Sequence, residues 1–255
     1  MNYYRWTENT QYKLRVDSNS DTKICLGVQQ QVREGAKPAH ISFYVSKCDP
    51  KDENSVIYEI NKAAENEKFV SDKEVSGSLM VEPNKNYIVI PCTFNADIEA
   101  NFTLSATWRK DTYPDAKVHL SPILDVDKET ITVTSSWSGE RAGGSVNDLE
   151  SWQKNPRFAL KLTKDATVNI LLCQTEKEQN KLSAVGFHIF EKNQKEPTFK
   201  HQSWNYFRIA SCKIALKAST TYSIIPSTFY KNEEKPFILK IITQKGVVDS
   251  FKQEL

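Results

Sequence analysis

Trp137-Ser138-Gly139-Glu140-Arg141-Ala142-Gly143-Gly144, and shortly after it Trp152-Gln153-Lys154-Asn155-Pro156-Arg157-Phe158-Ala159-Leu160-Lys161-Leu162, is the stretch that decides how this 255-residue sequence is read. Phe158, Leu160 and Leu162 alternate with Ala159 and Lys161, the period-two pattern of a strand with one buried face. Upstream, Glu129 to Trp137 reads as another strand. Between them, Gly143 and Gly144 allow positive φ and close backbone approach, and Asn155 before Pro156 favours an extended entry into the second strand. The stretch therefore reads as strand, corner, strand, and the role of Trp137, Gly139, Ala142, Gly143, Gly144, Trp152, Asn155 and Pro156 is structural.

Half of this text recurs near the start of the chain. An offset of 146 lays Trp6-x-x-Asn9-Thr10-x-Tyr12-x-Leu14-x-Val16 over Trp152-x-x-Asn155-Pro156-x-Phe158-x-Leu160-x-Leu162. Further on, an offset of 135 lays Tyr87-x-x-x-Pro91-x-Thr93-Phe94 over Tyr222-x-x-x-Pro226-x-Thr228-Phe229, and brings Phe102 and Leu104 onto Phe237 and Leu239. Two matches in the same order indicate a duplication. The copy is incomplete: only five residues precede Trp6, so nothing corresponds to Glu129–Trp137 or the Ala-Gly-Gly corner. One opening strand is expected to be missing from the first repeat. If the sequence starts here, the sandwich either manages with fewer strands or exposes an edge that invites a strand from another chain; a sequence shortened at its start and an edge covered locally are the readings weighed above that edge.

Further strands are expected at residues 23–29, 39–46, 86–90, 101–108, 167–173, 184–190, 221–225 and 236–243, from short β-branched runs punctuated by Asn, Asp, Pro and Gly. Pro91 and Pro226 should end their strands or mark a bulge, because proline supplies no ladder donor. Residues 55–69 read as an inserted loop with a short helix. The expected fold is all-β, two antiparallel sandwiches in tandem: residues 1–112, a linker over 113–128, and residues 129–255.

The segments around Trp137, Ala142-Gly143-Gly144, Asn155-Pro156 and Tyr222–Phe229, with the closing strand from Phe237, resemble in order the C2-like sandwich that follows the protease core in calpains, domain III of the large subunit. The resemblance covers most of residues 129–245 and reaches residues 1–112 through the internal repeat. Tandem sandwiches of this kind resemble the C-terminal part of PalB-like calpains. The resemblance implies a noncatalytic module: no cysteine stands in a sequence like the family's nucleophile motif, and the papain-like core needed for a Cys, His and Asn set has no counterpart here. No residue is assigned a catalytic role.

Composition bounds the alternatives. Hydrophobic residues make up 39% and charged residues 26%, with a net charge of +2, the profile of a globular protein. Divided at Pro114, the halves carry −2 and +4; neither bias marks a nucleic-acid partner. No segment approaches the apolar run of about 18 residues that a spanning helix needs, and a cytoplasmic location is expected. Five dispersed cysteines (Cys25, Cys48, Cys92, Cys173, Cys212) suggest neither a disulfide framework nor a zinc site, and are expected to be free and mostly buried. The four histidines, His40, His119, His188 and His201, read as ordinary surface or edge residues.

Two groups of side chains suggest ligands. C2-like relatives can bind calcium between Asp-rich loops, which makes Asp49, Asp52, Asp125 and Asp127 calcium candidates; intervening Lys51 and Lys128 favour plain solvated loops. Calcium is accordingly a minor expectation, and no other cofactor is implied. Lys192, Lys195, Lys200, Trp204 and Arg208 form a basic-aromatic group suited to an acidic peptide, weighed against packing of the aromatics beneath a solvated loop. The leading functional expectation is a scaffold or adaptor binding protein partners within a larger assembly. The bias of 27 Lys over 7 Arg, with 17 Asn, fits an AT-rich protist genome, and noncatalytic calpain-like proteins of protists imply a cytoskeletal, microtubule-associated or ciliary setting. The alternatives are a calcium- or phospholipid-responsive membrane module and a regulatory subunit for a calpain-like protease.

Overall fold

Alternating apolar and polar side chains along the chain bury one face of each strand, and in the computed structural model these faces meet in two separate cores. The structure describes residues 5–48, 56–58, 62–65, 69–95, 98–124, 127–176, 178–192, 194–202 and 204–254. The chain divides into two compact units, Met1–Asp125 and Val126–Leu255.

Unit 1 contains β1 (Tyr12–Asp17), β2 (Thr22–Gln30), β3 (Ile41–Lys47), β4 (Lys62–Glu65), β5 (Glu74–Val81), β6 (Asn86–Thr93), β7 (Phe102–Trp108) and β8 (Lys117–Pro122). They form a five-stranded sheet, β4-β3-β6-β1-β8, and a three-stranded sheet, β5-β2-β7, with every pairing antiparallel. Leu14, Phe43, Tyr87 and Val89 from the first sheet pack against Ile24, Leu26 and Leu79 from the second. On its outer face β6 turns Ile88, Ile90 and Cys92 toward Trp6, Tyr44, Ile57 and Phe69. Burial on both faces explains why β6 reads as a continuous apolar run and not an alternating one.

Unit 2 contains β9 (Lys128–Trp137), the single-turn α1 (Leu149–Trp152), β10 (Arg157–Leu162), β11 (Ala166–Gln174), β12 (Val185–Glu191), β13 (Phe199–Lys200), β14 (Ile209–Leu216), β15 (Thr221–Thr228), β16 (Lys235–Gln244) and β17 (Val248–Glu254). The sheets are β13-β12-β15-β10-β17 and β14-β11-β16-β9. Phe158, Leu160, Phe187, Tyr222 and Ile224 face Ile170, Leu172, Phe237, Leu239 and Trp137 across the sandwich. Strand orders superimpose from β1 on β10 through β8 on β17, and β9 is left over. The all-β, antiparallel sandwich class is as expected.

Several local expectations are corrected. Both strands expected to stop or bulge at proline run through it, β6 to Thr93 and β15 to Thr228, with no register shift at Phe43↔Pro91 or Phe187↔Pro226. The β1 side of β6 is paired only as far as Tyr12↔Val89, and the β10 side of β15 only as far as Phe158↔Ile224. The Pro91 carbonyl accepts from Asn9 Nδ2 and the Pro226 carbonyl from Trp137 Nε1, so each proline's missing N–H falls on a side with no ladder to break. No helix occupies the described part of residues 55–69; Lys62–Glu65 is a strand, with Tyr44↔Glu65 and Val45↔Ala64 in register, because pairing with the edge of β3 outweighs a weak helical spacing. The stretch 113–128 read as a linker contains β8, which pairs with β1 along its whole length. Strands β5, β13, β14 and β17 were not anticipated.

Candidate docking edge

Two side chains hold the Ala-Gly-Gly corner: Ser151 Oγ donates to Gly143 O at 2.7 Å, and Asn155 makes the remaining side-chain bonds. Asn155, 3% exposed, accepts from Gly143 N at 3.2 Å and donates to Gly144 O at 2.8 Å and Trp152 O at 3.0 Å. A Cβ on Gly143 would lie 1.9 Å from the Ser151 carbonyl oxygen, and Gly144 has φ +74° with Lys231 N 2.7 Å from where its Cβ would be. Both glycines are therefore demanded by backbone approach. Trp137 is fully buried and spans the sandwich to Pro226 O at 3.0 Å, while Gly139 takes φ +52° at the entry to the corner. Trp152, at the end of α1, lies on the outer face of the five-stranded sheet with edge contact to His188 at 5.6 Å. Pro156 follows Asn155 immediately before β10.

The duplication extends to polar residues that sequence reading missed. Gln30 and Gln174 end β2 and β11, and each folds its amide back onto the residue nine positions later. Gln174 donates to Ser183 O and Phe207 O and accepts from Ser183 N; Gln30 donates to Ala39 O and Asp72 O and accepts from Ala39 N. Tyr87 and Tyr222 likewise each accept, on the hydroxyl, the backbone N–H five residues earlier. The tyrosines stand at the offset of 135 already read from the sequence, whereas the glutamines lie 144 apart, at neither offset and outside the apolar pattern, so only their pairing went unread.

The basic-aromatic group does not converge on a groove. Lys192, Lys195 and Lys200 are exposed on the β12–β13 hairpin. Trp204 packs against His188, His201 and Phe229, under the loop. The Arg208 guanidinium donates to the Glu176 carbonyl. His188 and His201 are buried, contrary to their reading as surface residues: each lies among aromatic rings that cover the outer sheet face. Burial, then the nearby positive charges of Lys200 and His201, pushes the His188 pKa down to about 4.

Of the calcium candidates, Asp49, Asp52 and Asp125 lie outside the described residues. Asp127 sits in the turn before β9, where its carbonyl accepts from Lys245 N at 2.7 Å. Among the described residues no three His, Cys, Asp or Glu side chains converge as metal ligands. None of the five cysteines forms a disulfide; Cys92 and Cys173 are buried, and the other three, contrary to the expectation that most are interior, are only partly so. Burial raises the Cys92 thiol to about 12, although Asn9 Nδ2 lies 3.2 Å from its sulfur, so it is not a thiolate nucleophile near neutrality.

The clearest departure between the units is at β7. In unit 2, β16 is covered by β9 over ten register pairs from Lys235↔Trp137 to Gln244↔Lys128, and Phe237, Leu239 and Ile241 are fully buried. In unit 1, β7 pairs with β2 and, among the described residues, has no strand on its other side. Its inward side chains Phe102, Leu104, Ala106 and Trp108 are consequently only half-buried. The strand Phe-Thr-Leu-Ser-Ala-Thr-Trp carries no charge, proline or glycine, whereas every other described strand at a sheet edge carries charge, from Lys62 in β4 to Asp249, Lys252 and Glu254 in β17. Natural edges are ordinarily guarded by such residues. Asn9 donates to the Pro91 carbonyl, whose counterpart in unit 2 takes the indole N–H of Trp137.

Fold and corner together define a tandem of antiparallel sandwiches of the kind attached to calpain protease cores. The chain belongs to the family "Calpain large subunit, domain III", whose profile matches residues 1–106 and 133–242, one segment in each unit. It is 28% identical over 252 residues to "Serine/threonine-protein kinase 4 homolog B" of Dictyostelium discoideum, covering 96% of this chain and 22% of that protein. It is 24% identical over 272 residues to "Putative calpain-like cysteine protease A" of Dictyostelium discoideum, covering 100% of this chain and 39% of that protein. With "Calpain-10" of Macaca fascicularis it shares 26% identity over 203 residues, covering 68% of this chain and 30% of that protein. The chain thus spans well under half the length of each of these relatives. No described helix is long and apolar enough to cross a membrane.

Proposed function

We propose that these 255 residues form a noncatalytic protein-binding module that acts as a scaffold or adaptor. The observation that carries the reading is that one span, both sandwiches together, aligns almost entirely with a relative named as a kinase and with another named as a cysteine protease. What two proteins with such different names share is not their catalysis, and two packed β cores with a structural corner supply surfaces, not reacting groups. The setting we favour is cytoskeletal or ciliary, with protein partners holding the module in a larger assembly.

Fractionation of the native cell is the test. A tagged chain is extracted with non-ionic detergent, and in parallel the purified chain is mixed with phosphatidylserine vesicles with and without calcium. The reading expects retention in the detergent-resistant cytoskeletal fraction and no pelleting with vesicles. Full release by detergent together with calcium-dependent pelleting overturns it in favour of a membrane module.

A further inference from the structure

We propose that β7 is a docking edge completed in trans, by an extended segment of another polypeptide that adds to unit 1 as an antiparallel strand. The proposal rests on the reading of the chain as a binding module and names the site and the chemistry of its partner. Unit 2 supplies the template for the occupant. At the repeat offset of 135, Phe102–Trp108 corresponds to Phe237–Thr243, whose register partners run from Ser135 back to Glu129. Side chains directly opposite one another in an antiparallel pair share a face, so the occupant's inward positions lie opposite Leu104 and Ala106, where β9 places Val133 and Ile131.

The residues of β7 narrow this chemistry. Leu104 matches Leu239, but Ala106 stands where unit 2 has Ile241, leaving room for a larger side chain opposite it. The outward positions Thr103, Ser105 and Thr107 are exposed and uncharged, like Thr130, Thr132 and Thr134 of β9. The Pro91 carbonyl, counterpart of the one that anchors Trp137, is already taken by Asn9. The occupant therefore needs neither a terminal tryptophan nor a glycine corner. A short linear segment suffices: about seven residues without charge, β-branched or aliphatic at alternate positions, and bulky opposite Ala106. Main-chain hydrogen bonds to the edge supply affinity, and the alternate side chains supply selectivity.

The probe is a fluorescein-labelled peptide of the uncharged residues 130–136, titrated into the full chain by polarisation, with amide exchange locating where it binds. The expected result is saturable one-to-one binding and slowed exchange in β7. Two variants should abolish it: Ala106→Lys, which places an inward-pointing charge on the edge, and a chain with residues 128–148 fused ahead of Met1, which fills the edge in cis. If Ala106→Lys does not fold, the fused chain still decides. Absence of binding, unchanged binding by the fused chain, or protection appearing on β16 overturns the proposal. Protection of β7 that rises with protein concentration without peptide also overturns it, assigning the edge to a second copy. A chain that ignores the peptide yet stays in the cytoskeletal fraction loses the edge proposal while the binding-module reading stands.

Discussion

Replacing Gln174 by leucine removes three hydrogen bonds from the end of β11 at little change in volume. Its amide donates to Ser183 O at 2.8 Å and Phe207 O at 2.6 Å and accepts from Ser183 N at 2.9 Å. Ser183 is wholly buried, so its N–H and C=O are left without partners, whereas Phe207 is exposed enough for water to satisfy its carbonyl. Each buried orphan costs about 1–3 kcal/mol, and the added apolar burial of leucine returns about 1 kcal/mol. The net loss is about 3 kcal/mol in unit 2, which for a unit of this size lowers its melting point by roughly 10 °C. Gln30→Leu orphans the N–H and C=O of Ala39, which is only half-buried, and should cost about half as much, in unit 1. Urea and thermal unfolding of the full chain, followed by backbone amides assigned to each unit, measure both. A loss below about 0.5 kcal/mol for Gln174→Leu, or destabilisation of the wrong unit, would refute the reasoning.

Three further outcomes follow from the same geometry. Gly143→Ala drives a methyl into the Ser151 carbonyl, and should destabilise unit 2 by about 3 kcal/mol or more in the same unfolding assay. His188 has a folded pKa of about 4, below its unfolded value of about 6.5; its contribution is therefore full above pH 6.5 and is lost as pH falls toward 4. That loss approaches about 3 kcal/mol at the acid end, and His188→Phe should flatten the pH dependence measured by urea midpoints between pH 7 and 4. Cys92, with its thiol raised to about 12, should resist alkylation at pH 8 in the folded chain and react on unfolding, as peptide mass spectrometry would show.

What the sequence made legible was what two-fold alternation and duplication encode. Phe158, Leu160 and Leu162 placed β10 in a core, and the offset repeat placed β1 in its image. The Ala-Gly-Gly corner could be read because glycines at close backbone contacts have few substitutes. Strands β8 and β17 escaped because they lie at sheet edges, where exposed Lys117, His119, Asp249 and Lys252 interrupt the apolar pattern. The prolines misled because the chain alone does not say which side of a strand its ladder occupies. Burial of His188 could not be read either: its alternate neighbours Phe187 and Ile189 face the core, and the aromatic layer over its own face is built partly from Trp152 and Trp204, distant in sequence. Of the candidate surfaces, the β7 edge could not be read from the sequence: that it pairs with β2 alone among the described residues, and carries no charge, became clear only with the topology.

The central claim is that β7 stands where β16 stands but, among the described residues, pairs on one side only. Amide hydrogen exchange of the full chain, read residue by residue over Phe102–Trp108 and Phe237–Thr243, tests this most directly. The account predicts that alternate amides of β7, those facing away from β2, exchange fast while every amide of β16 is protected on both sides by β11 and β9. Uniform protection of β7 equal to that of β16 would contradict it.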